Sequence, residues 1–396
     1  MLTGKTIVLG VTGSIAAYKI ANLASMLVKL NADVHVIMTQ NAKHFITPMT
    51  FETLTNNKCI VDTFDRNFNF DVKHVSLAKK GDLFLVAPCT ANVIGKVAGG
   101  ICDDMLTTTI MATKAPVLFS PAMNTGMWEN PILQDNLQKL KHYGYHIIEP
   151  VEGRLACGDI GSGKMPSEEV LLEHILLHLA KDKDLKGKKI LVTAGPTQEA
   201  IDPVRFITNH SSGKMGYALA KMAVLRGAEV TLVSGPVGIQ PFAGIEKIAV
   251  RSAQEMFEAV TSRSAEHDVI IMCSAVADYK PAVYADQKVK KRDDDMSIPL
   301  TRTQDILGYL GEHKQQGQLL VGFSMETENL IENSRKKLMK KQADLICANS
   351  ISEAETGFAV DTNKVTLIST KEVKELPLCS KEETADLILS AIKDYM

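Results

Sequence analysis

The sequence predicts an α/β protein of two domains, each on the flavodoxin-like or Rossmann-like plan, and three observations carry that reading. A short apolar, β-rich run, a glycine turn and a helical segment open the chain at residues 6–30, and the same succession returns at residues 189–226. Between them residues 181–188, Lys-Asp-Lys-Asp-Leu-Lys-Gly-Lys, are charged with one apolar side chain and mark a boundary. A chain of 396 residues also exceeds one ordinary core. The expected domains are residues 1–182 and 186–396.

The elements follow in order. Residues 6–12, Thr-Ile-Val-Leu-Gly-Val-Thr, suit a buried parallel strand. Gly13-Ser14 breaks the run, and residues 15–30 space Ile15, Leu23, Leu27 and Leu30 as a helix. Residues 33–38 form a second strand and complete a βαβ unit. Residues 83–87 and 117–119 are further strands, and residues 168–180 close the domain as an amphipathic helix. In the second half residues 189–196 repeat the opening, followed by a helix over about 215–226 and a strand over 229–233. Strands at 269–273, 319–323 and 344–348 extend the sheet. Residues 279–299, polar and lysine-rich, are too irregular for core and predict a mobile flap.

Composition narrows the function. Hydrophobic residues make up 45% and charged residues 23%, the globular average. A formal charge of −2 gives no reason to expect nucleic acid or an acidic membrane as partner. The N-terminus lacks signal-peptide features, and no apolar run reaches the length of a membrane span. Seven scattered cysteines without a CxxC pair argue for a reducing cytoplasm and against disulfides or structural zinc.

A glycine turn before a helix sets free N–H groups and the positive helix end against a phosphate. A dinucleotide site also needs an acid at the end of the second strand to bind ribose. Here that strand ends Met38-Thr39-Gln40, which disfavours NAD and suits a flavin mononucleotide. In the second half Ser234-Gly235-Pro236 also lacks the acid. Residues 211–216, Ser-Ser-Gly-Lys-Met-Gly, fail as a P-loop: Thr208 replaces the first glycine and Met215 the metal-binding hydroxyl residue.

Several strings then converge. Gly13-Ser-Ile-Ala-Ala-Tyr-Lys19, Ala87-Pro-Cys-Thr-Ala-Asn92, Pro121-Ala-Met-Asn124 with Met127-Trp128, and Leu155-Ala-Cys-Gly-Asp159 resemble the flavin-dependent cysteine decarboxylases. Ala194-Gly-Pro-Thr-Gln-Glu199, Asn209-His-Ser-Ser-Gly-Lys-Met-Gly216, Ser274-Ala-Val-Ala-Asp-Tyr279, Lys288-Val-Lys-Lys291 and Gly322-Phe-Ser-Met-Glu-Thr327 resemble the bacterial phosphopantothenate–cysteine ligases. Their order over essentially the whole chain resembles the bifunctional enzymes of coenzyme A biosynthesis. The resemblance implies an N-terminal flavin domain and a C-terminal ligase domain, with 4′-phosphopantothenate, cysteine and CTP as substrates, FMN as cofactor and Mg2+ beside the triphosphate. It also implies a homo-oligomer, with trimeric flavin domains and dimeric ligase domains.

For the first half the resemblance implies oxidation of the substrate thiol with FMN as electron acceptor, decarboxylation to an enethiol, and return of the electrons. It makes His74 the base, Asn124 the holder of the carboxylate and Cys157, between Gly153, Gly158, Gly161 and Gly163 on a flexible loop, the proton donor. By residue type alone His74 would be a structural histidine and Asn124 a turn asparagine. Gly13, Ser14, Ile15 and Thr39 suit the FMN phosphate turn, and Pro88, Thr90 and Asn92 the ring and ribityl chain. Cys89 and Cys102 match no catalytic position.

For the second half the resemblance implies an acyl-cytidylate formed from CTP with release of pyrophosphate, then attack by the amine of cysteine. Lys288 is expected on phosphate and the acyl intermediate, and the amide of Asn209 on the carbonyl oxygen. Cys273, Ser274, Ala275 and Asp278 follow a strand end, Phe323 walls a base pocket, and Lys337 and Lys341 share a helix face. From charge alone Lys336 and Lys340 leave that register open. Gln304, Asp305, Ile306 and Leu307 match a nucleotide-contacting turn in which the family commonly has proline where Gln304 stands.

Two rival readings come from other classes. A regulatory flavoprotein would not need His74, Asn124 and Cys157, and a nicotinamide-dependent reductase would need the missing acids.

Overall fold

The structure of the protein is a computed structural model that describes residues 1–64, 73–156, 158–290, 297–326, 328–350 and 362–396. It divides into two units, Met1–Lys181 and Asp182–Met396.

The first unit opens with β1 (Thr6–Val11), buried at every residue, and turns into α1 (Ala17–Lys29). The helix starts two residues later than the apolar spacing predicts. Ile15 lies in the turn, 55% exposed, while Ala17, Ile20, Leu23, Ala24 and Leu27 form the buried face. There follow β2 (Asp33–Met38), α2 (Pro48–Thr55), α3 (Lys73–Lys80), β3 (Leu83–Cys89), α4 (Ala91–Gly99) and α5 (Met105–Ala112). Next come β4 (Val117–Pro121), α6 (Thr125–Trp128), α7 (Pro131–His142) and β5 (His146–Ile147). A ribbon of β6 (Val151–Arg154) and β7 (Ile160–Lys164) precedes α8 (Glu168–Leu179), which Ser167 caps. The parallel sheet runs β2-β1-β3-β4-β5. This is the flavodoxin-like order, whose direction of winding reverses between β1 and β3. Val8, Phe84, Val86 and Phe119 pack on one core with Leu106 and Leu137, which explains strands apolar throughout rather than alternating.

The second unit contains β8 (Lys189–Ala194), the small ribbon β9 (Gln198–Ala200) with β10 (Phe206–Thr208), α9 (Lys214–Leu225), β11 (Glu229–Ser234) and β12 (Ile245–Ala249). Then come α10 (Ala253–Ser264), β13 (Val269–Met272), β14 (Tyr279–Pro281), β15 (Leu300–Arg302), α11 (Ile306–Glu312), β16 (Leu319–Glu326), α12 (Leu330–Lys340) and β17 (Leu345–Ser350). The chain ends with β18 (Thr362–Asn363), β19 (Val365–Ile368), β20 (Val373–Glu375), β21 (Cys379–Ser380) and α13 (Lys381–Lys393). The eight-stranded sheet runs β12-β11-β8-β13-β16-β17-β19-β20. Its first six strands are parallel in the Rossmann order, with the reversal between β8 and β13. β19 and β20 add antiparallel at the edge.

Two features modify the sequence expectation. The segment expected as an irregular flap has an ordered stem, because β14 and β15 pair antiparallel. The charged boundary is also partly built into the fold. Arg226, 5% exposed, donates to Asp184 at 2.9 and 2.7 Å, to Asp386 at 3.3 Å and to Ser390 at 3.0 Å. That clasp ties the start of the second unit to α9 and α13.

Candidate active sites

In each unit a threonine at the end of the first strand closes the point where the winding reverses. Thr12, fully buried, donates to the carbonyl of Pro88 at 2.7 Å and accepts the N–H of Thr90 at 3.1 Å. Thr193, also fully buried, donates to Ser274 Oγ at 2.9 Å and accepts the N–H groups of Cys273 at 3.0 Å and Ser274 at 3.1 Å. Both hydroxyls hold the loop after the neighbouring strand at the carboxyl edge of the sheet. Neither threonine stands out by residue type, although each lies between valine and the glycine turn, at Val11-Thr12-Gly13 and Val192-Thr193-Ala194-Gly195.

Three strand ends of the first unit carry the expected flavin residues. Gly13 and Ser14 follow β1, Thr39 follows β2, Pro88 lies in β3, and Thr90 precedes α4, whose first turn carries the exposed Asn92. A Cβ on Gly13 would stand 2.6 Å from Asn41 Cβ, so only glycine lets this turn approach the loop after β2. Thr39 Oγ1 and, in β4, Ser120 Oγ are buried without a hydrogen-bond partner. Buried hydroxyls are almost always paired, so this edge is equipped for a polar ligand.

A cleft of about 620 Å3 adjoins this edge, lined by Ser14, Ile15, Tyr18, Asn124, Ala156 and Lys164 among others. Exposed Ile15 thus becomes a wall of the cleft rather than core. Asn124 caps α6: its Oδ1 accepts the N–H of Gly126 at 2.8 Å, while its Nδ2 lies 3.4 Å from Asp159 Oδ2. The cap uses the acceptor end of the amide and orients the donor end toward Asp159.

Cys157 lies outside the described residues. Its neighbours Leu155 and Ala156 line the cleft, at the tip of the β6–β7 ribbon. The glycines there do more than loosen the loop. Gly163, at φ +118°, accepts the N–H of Met123 at 3.0 Å, and a Cβ on it would meet Met123 O at 2.4 Å. Thr125 Oγ1 donates to Ser162 O at 2.9 Å, so the ribbon is docked on the β4–α6 turn. His74 sits on α3 and is not among the residues lining this cleft. Cys89 is fully buried, which pushes its thiol far above the ordinary value and leaves it inert.

The second unit has two clefts sharing Ser274, Asp278 and Phe323. The first, about 500 Å3, gathers Gln304, Asp305, Ile306, Leu307, Lys337, Lys340 and Lys341. The structure resolves the lysine register: Lys336 points away and pairs with Glu332 at 2.7 Å, whereas Lys340 joins the cleft. Lys337 donates to Phe323 O at 2.8 Å. Asp305 caps α11 through the N–H of Gly308 at 3.0 Å and pairs with Lys341. Burial would raise the Asp305 carboxyl, but Lys341 and the Gly308 N–H hold it below the usual carboxylate range. Ile306 and Leu307, 3% and 9% exposed, also belong to the core, so they fix the wall more than they touch solvent. Asp344 is spoken for by Lys314 at 2.7 Å and the N–H of Leu320 at 2.7 Å.

The second cleft, about 470 Å3, is lined by the turn from Asn209 to Gly216, by Cys273, Ser274 and Ala275, and by Asn349, Asn363 and Lys381. Asn209 is anchored to the loop after β13. Its Nδ2 donates to Val276 O at 3.0 Å and lies 3.4 Å from Ala275 O, so its N–H groups serve the backbone and its remaining polar atom is an acceptor. Burial pushes the Cys273 thiol up to about 12, so it stays protonated. Lys288 is exposed and lines neither cleft. Among the described residues no group of three His, Cys, Asp or Glu side chains could hold a metal, and no helix is long and apolar enough to cross a membrane.

Each unit also matches a known protein family. Residues 1–179 match the family described as Flavoprotein, and residues 185–396 match the DNA/pantothenate metabolism flavoprotein C-terminal domain. A Bacillus subtilis protein, coenzyme A biosynthesis bifunctional protein CoaBC, is 46% identical over 396 residues, spanning 99% of this chain and 97% of its own. The Escherichia coli protein of that description is 41% identical over 394 residues, spanning 99% and 97%. A crystal structure of the C-terminal domain of such a CoaBC protein, 48% identical, covers 54% of this chain and 97% of its own with a TM-score of 0.47.

Proposed function

The chain belongs to the family of bifunctional coenzyme A biosynthesis proteins, a flavoprotein decarboxylase joined to a ligase, and on that premise we propose how its residues divide the work. The second unit joins cysteine to 4′-phosphopantothenate with CTP, through an acyl-cytidylate. The first unit decarboxylates the product to 4′-phosphopantetheine with FMN. The observation that carries this reading is the equipment of both reversal points: a threonine clamp at each, unpaired hydroxyls in the first unit and clustered lysines in the second.

In the first unit the orphan hydroxyls Thr39 Oγ1 and Ser120 Oγ and the close turn at Gly13 fit a flavin mononucleotide at the β1–β3 reversal. FMN, when bound, supplies the two-electron oxidation and its reversal. Ser14 and Ile15 meet the phosphate turn; Pro88, Thr90 and Asn92 flank the ring and ribityl chain. Asn124 donates Nδ2 to the substrate carboxylate without neutralising it, so the charge can still leave as carbon dioxide. Cys157, next in sequence to the lining residue Ala156, gives the proton when the enethiol is reduced. His74 as base lies off the lining of its own cleft, which supports a trimer in which a neighbouring copy supplies it.

In the second unit Lys337, Lys340 and Lys341 hold the phosphates of CTP, Asp278 accepts from ribose or base, and Phe323 walls the base. The N–H groups of Asn209 are committed, so we assign its acceptor end to the incoming amine rather than the carbonyl oxygen. Mg2+ enters with the triphosphate, as it usually does where phosphates supply its ligands. Lys288 reaches the acyl intermediate from the flap, either by closure or across a dimer. A cytoplasmic enzyme fits these small, soluble substrates.

Two assays decide the reading. Acid-released chromophore should have the mass of FMN, and pyrophosphate should form faster with CTP than with ATP. A nicotinamide cofactor, or ADP as product, would sink it.

A further inference from the structure

The flap that carries Lys288 stands on two feet, and both belong to the nucleotide cleft. β14 begins at Tyr279, next to Asp278, and β15 ends at Arg302, next to Thr303. Tyr279 pairs with Arg302, so the ladder brings Asp278 and Thr303 side by side where both join the cleft lining. Thr303 closes that stem. Its Oγ1 donates to Ala277 O at 2.6 Å and its N–H donates to Asp278 O at 3.0 Å. Ala277, 3% exposed, is held from the other side as well, because its N–H donates to Thr197 Oγ1 at 3.0 Å. The carbonyl of Thr197, a fully buried residue, accepts from the hydroxyl of Thr208 at 2.7 Å, one residue before Asn209. Three threonine hydroxyls thus brace the loop after β13, which contributes Ser274 and Asp278 to both clefts.

We infer that Thr303 is a positioning residue for ligation: it fixes the foot of the Lys288 flap to the wall of the nucleotide cleft, so that Lys288 and the nucleotide share one frame. The inference rests on the ligase reading above and on the part Lys288 takes in it. Strands of three residues each make a ladder that is marginal by itself. The direction of the flap therefore depends on how its stem is mounted. Lys288 lines neither cleft, so mounting rather than wall contacts sets its approach to the nucleotide. The hydroxyl hydrogen of Thr303 is spent on Ala277 O, so this side chain serves the nucleotide through the frame and not as a donor to it. A shift of about 1 Å at a reacting group can cost on the order of a hundredfold in rate, so one hydrogen bond at the foot matters.

The test measures pyrophosphate release by the full-length protein and by Thr303→Val, Thr303→Ser, Lys288→Gln and the double variant Thr303→Val with Lys288→Gln, at varied CTP. Thr303→Val should lower kcat about tenfold or more and leave KM for CTP within about twofold, because the nucleotide contacts remain and only the frame loosens. Thr303→Ser, which keeps the hydroxyl, should recover most of the loss. Once Lys288 is replaced the threonine has little left to position, so the double variant should be within about threefold of Lys288→Gln alone. Losses that multiply in the double variant overturn the inference. So does Thr303→Val turnover within about twofold of the unmodified protein, a rise in KM for CTP that accounts for the loss, or normal turnover by Lys288→Gln. Should Thr303→Val unfold, Thr303→Ala, which removes the hydroxyl without setting a methyl group against Ala277 O, is read by the same criteria. Should the unmodified protein release no pyrophosphate from CTP, the ligase reading itself has failed.

Discussion

Asp202 accepts the backbone N–H of Val289 at 3.1 Å, and Arg205, itself bound to Asp202 through Nε at 3.0 Å, donates to Val289 O at 2.7 Å. This 2%-exposed carboxylate and its arginine thus grip both polar groups of the residue after Lys288. Arg205 above all, with three backbone N–H groups, holds the Asp202 carboxyl well below the usual range against burial.

Asp202→Asn turns donors toward donors and frees the flap at Lys288. Ligation should fall about tenfold or more, the scale of a misplaced contact at the reacting groups. Decarboxylation of supplied phosphopantothenoylcysteine should be unchanged. Ligation within twofold of the unmodified protein would show that the grip does not position Lys288.

Asn124→Asp separates the two uses of that side chain. Aspartate caps a helix as well as asparagine does, so the melting temperature should stay within about 2 °C. The lost donor and the added negative charge beside Asp159 should cut carbon dioxide release by about a hundredfold or more. Full activity in a stable variant would remove Asn124 from the carboxylate site.

The winding of both units was legible because buried parallel strands read as unbroken apolar runs, as residues 6–11 and 190–194 do. Ile15 misled only as to where α1 starts, because an apolar side chain before a helix looks the same whether it faces the core or a cleft. The clamps of Thr12 and Thr193 were not legible, since a hydroxyl's partner lies some eighty residues away. For the same reason spacing gave no sign of the Asp202–Val289 bond, nor that the Asn209 N–H groups were already taken. The glycines around Cys157 read as slack. At Gly163 the glycine instead admits a close backbone contact, which only the three-dimensional approach of Met123 reveals.

Gly163→Ala should therefore undock the β6–β7 ribbon without touching the cofactor edge. Carbon dioxide release should persist while phosphopantetheine falls and an oxidised enethiol-derived product appears by mass spectrometry. Ligation should be intact. A normal product spectrum would mean that ribbon docking does not place Cys157.

Arg226→Met removes the clasp on Asp184 and Asp386. Breaking a largely buried ion pair should destabilise the second unit by about 2–4 kcal/mol at neutral pH. Arg226 first, then Lys393, holds the Asp184 carboxyl far below its usual range against burial. Its stabilisation is thus fully present above the unfolded value near ~3.9 and is lost as pH falls below that toward the native value. Urea titrations from pH 6 to pH 2 should show a shallower acid loss in the variant. An acid limb as steep as in the unmodified protein would assign it to other carboxylates.

The central claim is that one chain performs both steps in sequence, and the stoichiometry of pyrophosphate to carbon dioxide tests it most directly. With 4′-phosphopantothenate, cysteine and CTP, the purified protein should release the two in equal amounts. It should release neither without CTP, and carbon dioxide alone from supplied phosphopantothenoylcysteine. Pyrophosphate without carbon dioxide, even with FMN bound, would contradict the account.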